Sequence, residues 1–256
     1  MFAGETAATP AVTSQIVGFG TAESGTKLYP TWGNSFVSIT ASKPGMLRLG
    51  DLELVGSTWG RDWLNFINPQ TCVIDSSKDV TYYSKAEAIA DGGTAEDAEW
   101  EDQFEACKDD VEYPFGTGFL CNFANTGISM IYKGEVNVNT EISTIDCTGK
   151  SYPFISNLYP GNLTFGDVKL ENSTWGRDWV NFVNPAKGSV DSTRDITYYS
   201  EAEAIADGGT AEDAEWEDQF EACKDDVPLK MGEGFLCNFA SSSVKVIFPT
   251  YNPNVQ

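Results

Sequence analysis

Apolar and polar positions alternate along much of the chain, the period of a strand with one buried face. Leu47-Arg48-Leu49 and Leu52-Glu53-Leu54 alternate strictly, and Val80-Thr81-Tyr82-Tyr83 is β-branched and aromatic. Trp63-Leu64-Asn65-Phe66-Ile67 runs into Asn68-Pro69, a turn signal. Gly118 to Phe123 and Ile128 to Tyr132 flank Asn125-Thr126-Gly127, which predicts a hairpin around that turn. Val244-Lys245-Val246-Ile247-Phe248 predicts a closing strand. One short helix is signalled by Ser84 as cap, Glu87 three residues on and Gly92-Gly93 as stop; Ser200, Glu203 and Gly208-Gly209 repeat the signals. Glu96 to Cys107 fits two elements: Trp100, Phe104 and Cys107 fall on one helical face, yet a strand accounts for them equally. Many short strands between turns predict a mainly β fold of sandwich or barrel type.

The same order occurs twice. Ser57 to Val111 aligns without gaps onto Ser173 to Val227 at an offset of 116, with 44 of 55 positions identical. Ala86 to Val111 recurs unchanged as Ala202 to Val227. The alignment predicts a loose arm over 1–12, a first β-module over 13–133, a second over 134–249 and a tail over 250–256. Each module carries a short helix and an acidic insert, and no Pro/Ser/Gly-rich linker separates them, which predicts stiff coupling.

Charge is concentrated in the duplicated stretch. Ala86 to Val111 holds ten acids and one lysine, so its two copies account for −18 of the formal net charge of −22. Such a chain repels nucleic acid and anionic membranes. The chain has no histidine, which removes the commonest general base and transition-metal ligand, and with them a Ser-His-Asp triad or a hydrolytic zinc site. Carboxylate pairs suited to glycoside hydrolysis arise by chance among 38 acids, so the expectation is a protein that is not an enzyme. No apolar run approaches the length of a membrane span. Met1-Phe2-Ala3-Gly4 lacks the basic start and apolar core of a signal peptide, so secretion would imply a leader already removed.

The six cysteines are even in number, which suggests disulfides and an oxidising compartment. Cys107 and Cys121 recur as Cys223 and Cys237 at the same spacing, predicting one bridge within each module. Cys72 and Cys147 have no counterparts and are candidates to bridge each other; buried free thiols are the alternative.

A Leu-x-x-Gly-Asp run, Thr-Tyr-Tyr, a Trp in an acidic stretch, Gly-x-Gly-Phe (Gly116 to Phe119; Gly232 to Phe235) and a closing Val/Ile strand follow one another. This order resembles tandem β-sandwich-type modules of uncharacterised secreted and surface proteins of bacteria. The resemblance implies extracellular or cell-surface placement and a structural or adhesive role.

Two features invite a ligand. Trp59-Gly60-Arg61-Asp62-Trp63 recurs as Trp175-Gly176-Arg177-Asp178-Trp179. Exposed tryptophans stack on sugar rings while Arg and Asp bond hydroxyls; alternatively both tryptophans pack in the core, with Arg61 paired to Asp62 or the acidic band. Within that band Asp91, Glu96 and Asp97, with Asp207, Glu212 and Asp213, are candidate calcium ligands, although no EF-hand spacing is present; a solvated face is the alternative. No other cofactor is expected. Two functions follow: a secreted structural protein that self-assembles into a fibre, filament or surface layer through module and edge-strand contacts, or a bivalent extracellular carbohydrate-binding protein.

Overall fold

The computed structural model describes residues 17–19, 34–38, 46–114, 117–125, 128–132, 143–157, 163–184, 189–190, 193–229 and 234–250. The expected arm over 1–12, the passage over 133–142 and all but the first residue of the tail lie outside them. The chain is mainly β, with short helices and several antiparallel sheets.

The first half contains β1 (Asn34–Ser38), β2 (Leu52–Val55), β3 (Asp62–Asn65), β4 (Val80–Tyr83), α1 (Lys85–Ala90), β5 (Glu99–Glu101), β6 (Gly118–Phe123) and β7 (Ser129–Tyr132). The second contains β8 (Ser143–Asp146), β9 (Phe154–Ser156), β10 (Lys169–Glu171), β11 (Trp179–Asn181), β12 (Ile196–Tyr199), α2 (Glu201–Ala206), β13 (Glu215–Glu217), β14 (Gly234–Asn238) and β15 (Lys245–Phe248). A five-stranded sheet runs β1-β6-β3-β4-β5, and its counterpart runs β9-β14-β11-β12-β13. A three-stranded sheet joins Val17–Phe19, β7 and β2; the other joins β8, β15 and β10. One apolar core lies among residues of each pair of sheets. Leu52 and Leu54 meet Leu64, Tyr82, Trp100 and Phe119 in the first, and Leu170, Val246 and Phe248 meet Val180, Trp216 and Phe235 in the second.

Local signals explain the helices. The Ser84 side chain accepts from the Glu87 N–H while the Glu87 carboxylate accepts from Ser84 N–H at 2.9 Å, a reciprocal cap. Past the helix Gly92 sits at φ 90°, a conformation that suits glycine, and Gly93 N–H returns to Ala88 O at 2.8 Å. Within the stretch that fitted two elements, Ala95–Asp97 forms one 3-10 turn and Glu99–Glu101 is a strand. Trp100 points into the core, its indole N–H donating to Leu52 O at 2.9 Å, while Phe104 is 78% exposed. The helical face therefore does not form. Asp102 ends the strand by accepting from the N–H of Phe104 at 2.8 Å and of Ala106 at 3.2 Å.

Two expectations are corrected. β6 and β7 do not form a hairpin, because β6 pairs with β1 and β3 while β7 pairs with β2 and Val17–Phe19. The chain crosses between sheets there, so β6 supplies Phe119, Cys121 and Phe123 to one wall of the core. All six cysteines are free thiols. Cys121 is buried on β6, whereas exposed Cys107 bridges the outer edge of β5, three strands away in the sheet order. The bridge to Cys107 adds a fourth strand spacing, for about 19 Å in all, far beyond the roughly 7 Å that a disulfide spans between Cα atoms. Cys223 and Cys237 repeat this separation, so Cys107–Cys121 and Cys223–Cys237 do not pair. Nor do Cys72 and Cys147: Cys72 is exposed in a turn at φ 58°, and Cys147 is buried in the second core.

The halves touch along a seam. Leu120 on β6 and Leu236 on β14, equivalent at the 116-residue offset, pack with Phe154. Gly118 and Gly234 make room for that ring: a Cβ at either would lie 2.6 or 2.8 Å from it. Tyr152 N–H donates to Pro69 O at 2.7 Å across the seam.

Candidate functional site

Strand alternation sorts the five-stranded sheet into a core face and an opposite face. In the first half Leu64, Val80, Tyr82, Trp100, Phe119 and Cys121 face the core. The alternate positions, Trp63 and Asn65 on β3, Thr81 and Tyr83 on β4, Glu99 and Glu101 on β5, and Leu120 and Asn122 on β6, fall on the other face. Read outward from the seam, that face runs from Leu120 through an amide-rich zone to an acidic one.

The amide-rich zone forms a hollow of about 320 Å³ in the second half, lined by Trp179, Asn181, Asp195, Gln219 and Asn238. Trp179 and Asn238 are opposite one another on β11 and β14. The positions 116 residues earlier are Trp63, Asn65, Asp79, Gln103 and Asn122, the same five residue types in the same order. In that first copy Asn65 is only 4% exposed, and its Oδ1 has no hydrogen-bond partner; Asp79 Oδ1 is a second buried oxygen without one. Buried acceptors are rarely left unpaired. Burial also pushes the Asp79 carboxyl above its usual range, against the opposing hydrogen bond from Asn65.

The acidic zone holds a second hollow, of about 370 Å³, lined by Trp59, Tyr83, Asp91, Glu101 and Glu105. Trp59 donates through its indole N–H to Glu101 and through its main-chain N–H to Glu87 Oε1 at 2.8 Å. Trp175 repeats both bonds, to Glu217 at 2.6 Å and Glu203 at 2.8 Å.

The remaining sequence candidates fall as follows. Arg61 and Arg177 are exposed and make no ion pair among the described residues. Neither pairs with its neighbouring aspartate. Asp62 is fully buried and accepts instead from Thr58, Ala124 and Asn125, and Asp178 from Thr174 and Ser241. The tryptophans are half-buried at the surface, outside the core. The calcium trios are not gathered around a common centre. Asp97 caps the turn at Thr94, which holds its carboxyl below the usual range, and Asp91 takes the Tyr83 hydroxyl at 2.8 Å, while Glu96 is exposed. Asp213 and Asp207 repeat these bonds, and Glu212 is exposed like Glu96. Among the described residues the group of three whose donor atoms lie within 4.8 Å of one another is Glu215, Cys223 and Asp225. There the thiol is held above its usual range, chiefly by its bond to Glu215, and Asp225 already accepts from Trp216 N–H at 2.8 Å.

Reading the sequence missed Asn65, Asp79, Gln103 and Asn122 as site residues, because they sit on different strands and loops. The available signal was their exact repetition at Asn181, Asp195, Gln219 and Asn238 beside Trp63 and Trp179. No protein-family model, curated protein or solved structure matches this chain.

Proposed function

We propose that the chain is a non-enzymatic, extracellular carbohydrate-binding protein of two tandem β-sandwich modules, over 13–133 and 134–249, each carrying one copy of the same site. The repeated sheet order and the separate cores support the two modules. The hollow at Trp179 carries the functional reading. An aromatic ring beside two asparagines, a glutamine and an aspartate suits a sugar, with the ring against its C–H face and the polar groups on its hydroxyls. Two weak sites in one chain bind a glycan-coated surface by avidity. The free cysteines no longer argue for an oxidising compartment, so extracellular placement rests on the carbohydrate reading.

The test is retention of the full chain on a glycan array. Wild type is expected to bind a subset of glycans, more steeply as their density rises. Trp63→Ala with Trp179→Ala is expected to lose this binding with circular dichroism unchanged. Binding that survives both substitutions refutes the site.

A second reading, self-assembly, is favoured by Phe104 and Phe220, 78% and 79% exposed, with Ile89 and Ile205 also exposed. It ranks lower for two reasons. The outer edge of β5 is already covered by the chain's own return, with Lys108 N–H donating to Trp100 O at 2.6 Å, so no strand can add there. Like surfaces that each carry about nine negative charges also repel. Sedimentation velocity distinguishes the readings: assembly that Phe104→Ser with Phe220→Ser abolishes supports it, and a monomer at every concentration excludes it.

A further inference from the structure

Between residues 46 and 132 and their equivalents 116 residues on, the sign of the charge reverses at only two positions. Glu53 on β2 becomes Lys169 on β10, and Lys85 at the start of α1 becomes Glu201 at the start of α2. The two positions face one another. Lys85 Nζ lies 2.7 Å from Glu53 Oε2, and Lys169 Nζ lies 2.7 Å from Glu201 Oε1. One ion pair therefore joins strand to helix in both halves, with its polarity turned round. Either reversal alone would set like charges against each other, so each substitution offsets the other.

Stability alone does not account for the reversal. The four side chains are between 23% and 54% exposed, and exposed pairs add little whichever way round they run. Nor does helix chemistry account for it. The first turn of a helix favours an acid, which Glu201 supplies and Lys85 does not. What the reversal changes is which half each element fits: Glu53 attracts Lys85 and repels Glu201, while Lys169 attracts Glu201 and repels Lys85.

Discrimination of that kind has something to oppose. Immediately after position 85 the halves are identical, over Ala86 to Val111 and Ala202 to Val227. The bonds that anchor this stretch to its core do not read sequence. The Trp100 and Trp216 indoles donate to main-chain oxygens, of Leu52 at 2.9 Å and of Val168 at 2.7 Å. The same rings pack on Tyr82 and Tyr198 at the same separation of 5.2 Å. Gly50 and Gly166 N–H donate in turn to the main-chain oxygens of Asp109 at 3.0 Å and Asp225 at 2.9 Å. Either copy of the stretch can make these contacts with either half, and near-identical neighbours in one chain misassemble by such exchange. We propose that the reversed ion pair is a pairing code, which steers each helix and acidic strand to the β-strand of its own half. In an exchanged core Glu53 meets Glu201 and Lys169 meets Lys85, so two attractions become two repulsions. The proposal rests on the two-module reading above and on neither ligand reading.

The test is refolding of the full chain from urea at low salt. Misassembled protein is read as the fraction that elutes as a dimer, or that unfolds outside the native transition when refolding is interrupted. Glu53→Lys with Lys85→Glu keeps an ion pair in each half but gives both halves the same polarity. Its circular dichroism and urea midpoint are expected to match wild type, while the misassembled fraction rises about tenfold. Lys169→Glu with Glu201→Lys is expected to do the same from the other half. All four substitutions together restore opposite polarity and are expected to return the fraction to the wild-type level. Refolding in about 1 M salt, which screens exposed charges, is expected to erase the difference between the variants. Two double variants that refold as cleanly as wild type overturn the code. A fourfold variant that misassembles as much as the double ones also overturns it, because the effect then follows the substitutions and not their polarity.

Discussion

Asp62→Ala is expected to lower the unfolding free energy by roughly 3–5 kcal/mol, the range for breaking a buried charged network from one side. The carboxylate is fully buried and accepts four hydrogen bonds: from Thr58 N–H at 2.7 Å, Ala124 N–H at 2.8 Å, Asn125 N–H at 3.1 Å and Asn125 Nδ2 at 2.6 Å. It ties the loop bearing Trp59 to the crossing between the two sheets. Alanine would leave three main-chain donors without acceptors, each costing about 1–3 kcal/mol when shut away from water. The second copy makes the comparison informative. Asp178 is equally buried but, among the described residues, accepts from Thr174 N–H at 2.6 Å and Ser241 N–H at 2.9 Å. Asp178→Ala should therefore cost less, roughly 2–4 kcal/mol. Urea unfolding of both variants checks the order. If Asp62→Ala is as stable as wild type, or if Asp178→Ala costs more, the role assigned to the pair is wrong.

Trp216→Ala is expected to cost roughly 3–5 kcal/mol. Its ring is buried between Phe165 at 5.0 Å and Tyr198 at 5.2 Å, and its indole N–H donates to Val168 O at 2.7 Å. Phenylalanine keeps much of the packing but orphans that carbonyl, so Trp216→Phe should lose about 1–2 kcal/mol. The tryptophan also fixes the acidic strand. Glu215 and Glu217 flank it on β13, so collapse of its pocket should reach the hollow on the opposite face. Guanidinium unfolding measures both variants, and a Trp216→Ala cost below that of Trp216→Phe would contradict this packing.

What was legible in the sequence was local. Ser84, Glu87 and Gly92-Gly93 specify a helix through bonds made within one turn, and those bonds form as expected. Val80 to Tyr83 reads as a strand because all four residues are β-branched or aromatic. Partner choice was not legible. Period two says that Phe119 and Cys121 face inward, but it does not say that β7 leaves β6 for another sheet. The paired cysteines misled because duplication copies spacing whether or not a bond exists. The acids of the band misled in the same way: Asp97, Asp102 and Asp109 are consumed by main-chain N–H groups, so charge density overstated the carboxylates available to a metal. Trp63 was visible as a candidate. Its partners Asn65, Asp79, Gln103 and Asn122 become neighbours only through non-local strand pairing.

The central claim is that one chain carries two equivalent sites. Its most direct test is the binding stoichiometry of the full-length protein, by calorimetry with a glycan that the array identifies. Two sites of equal affinity are expected, falling to one in Trp63→Ala and to one in Trp179→Ala. A stoichiometry of one that only one of these substitutions abolishes, or that neither changes, contradicts it.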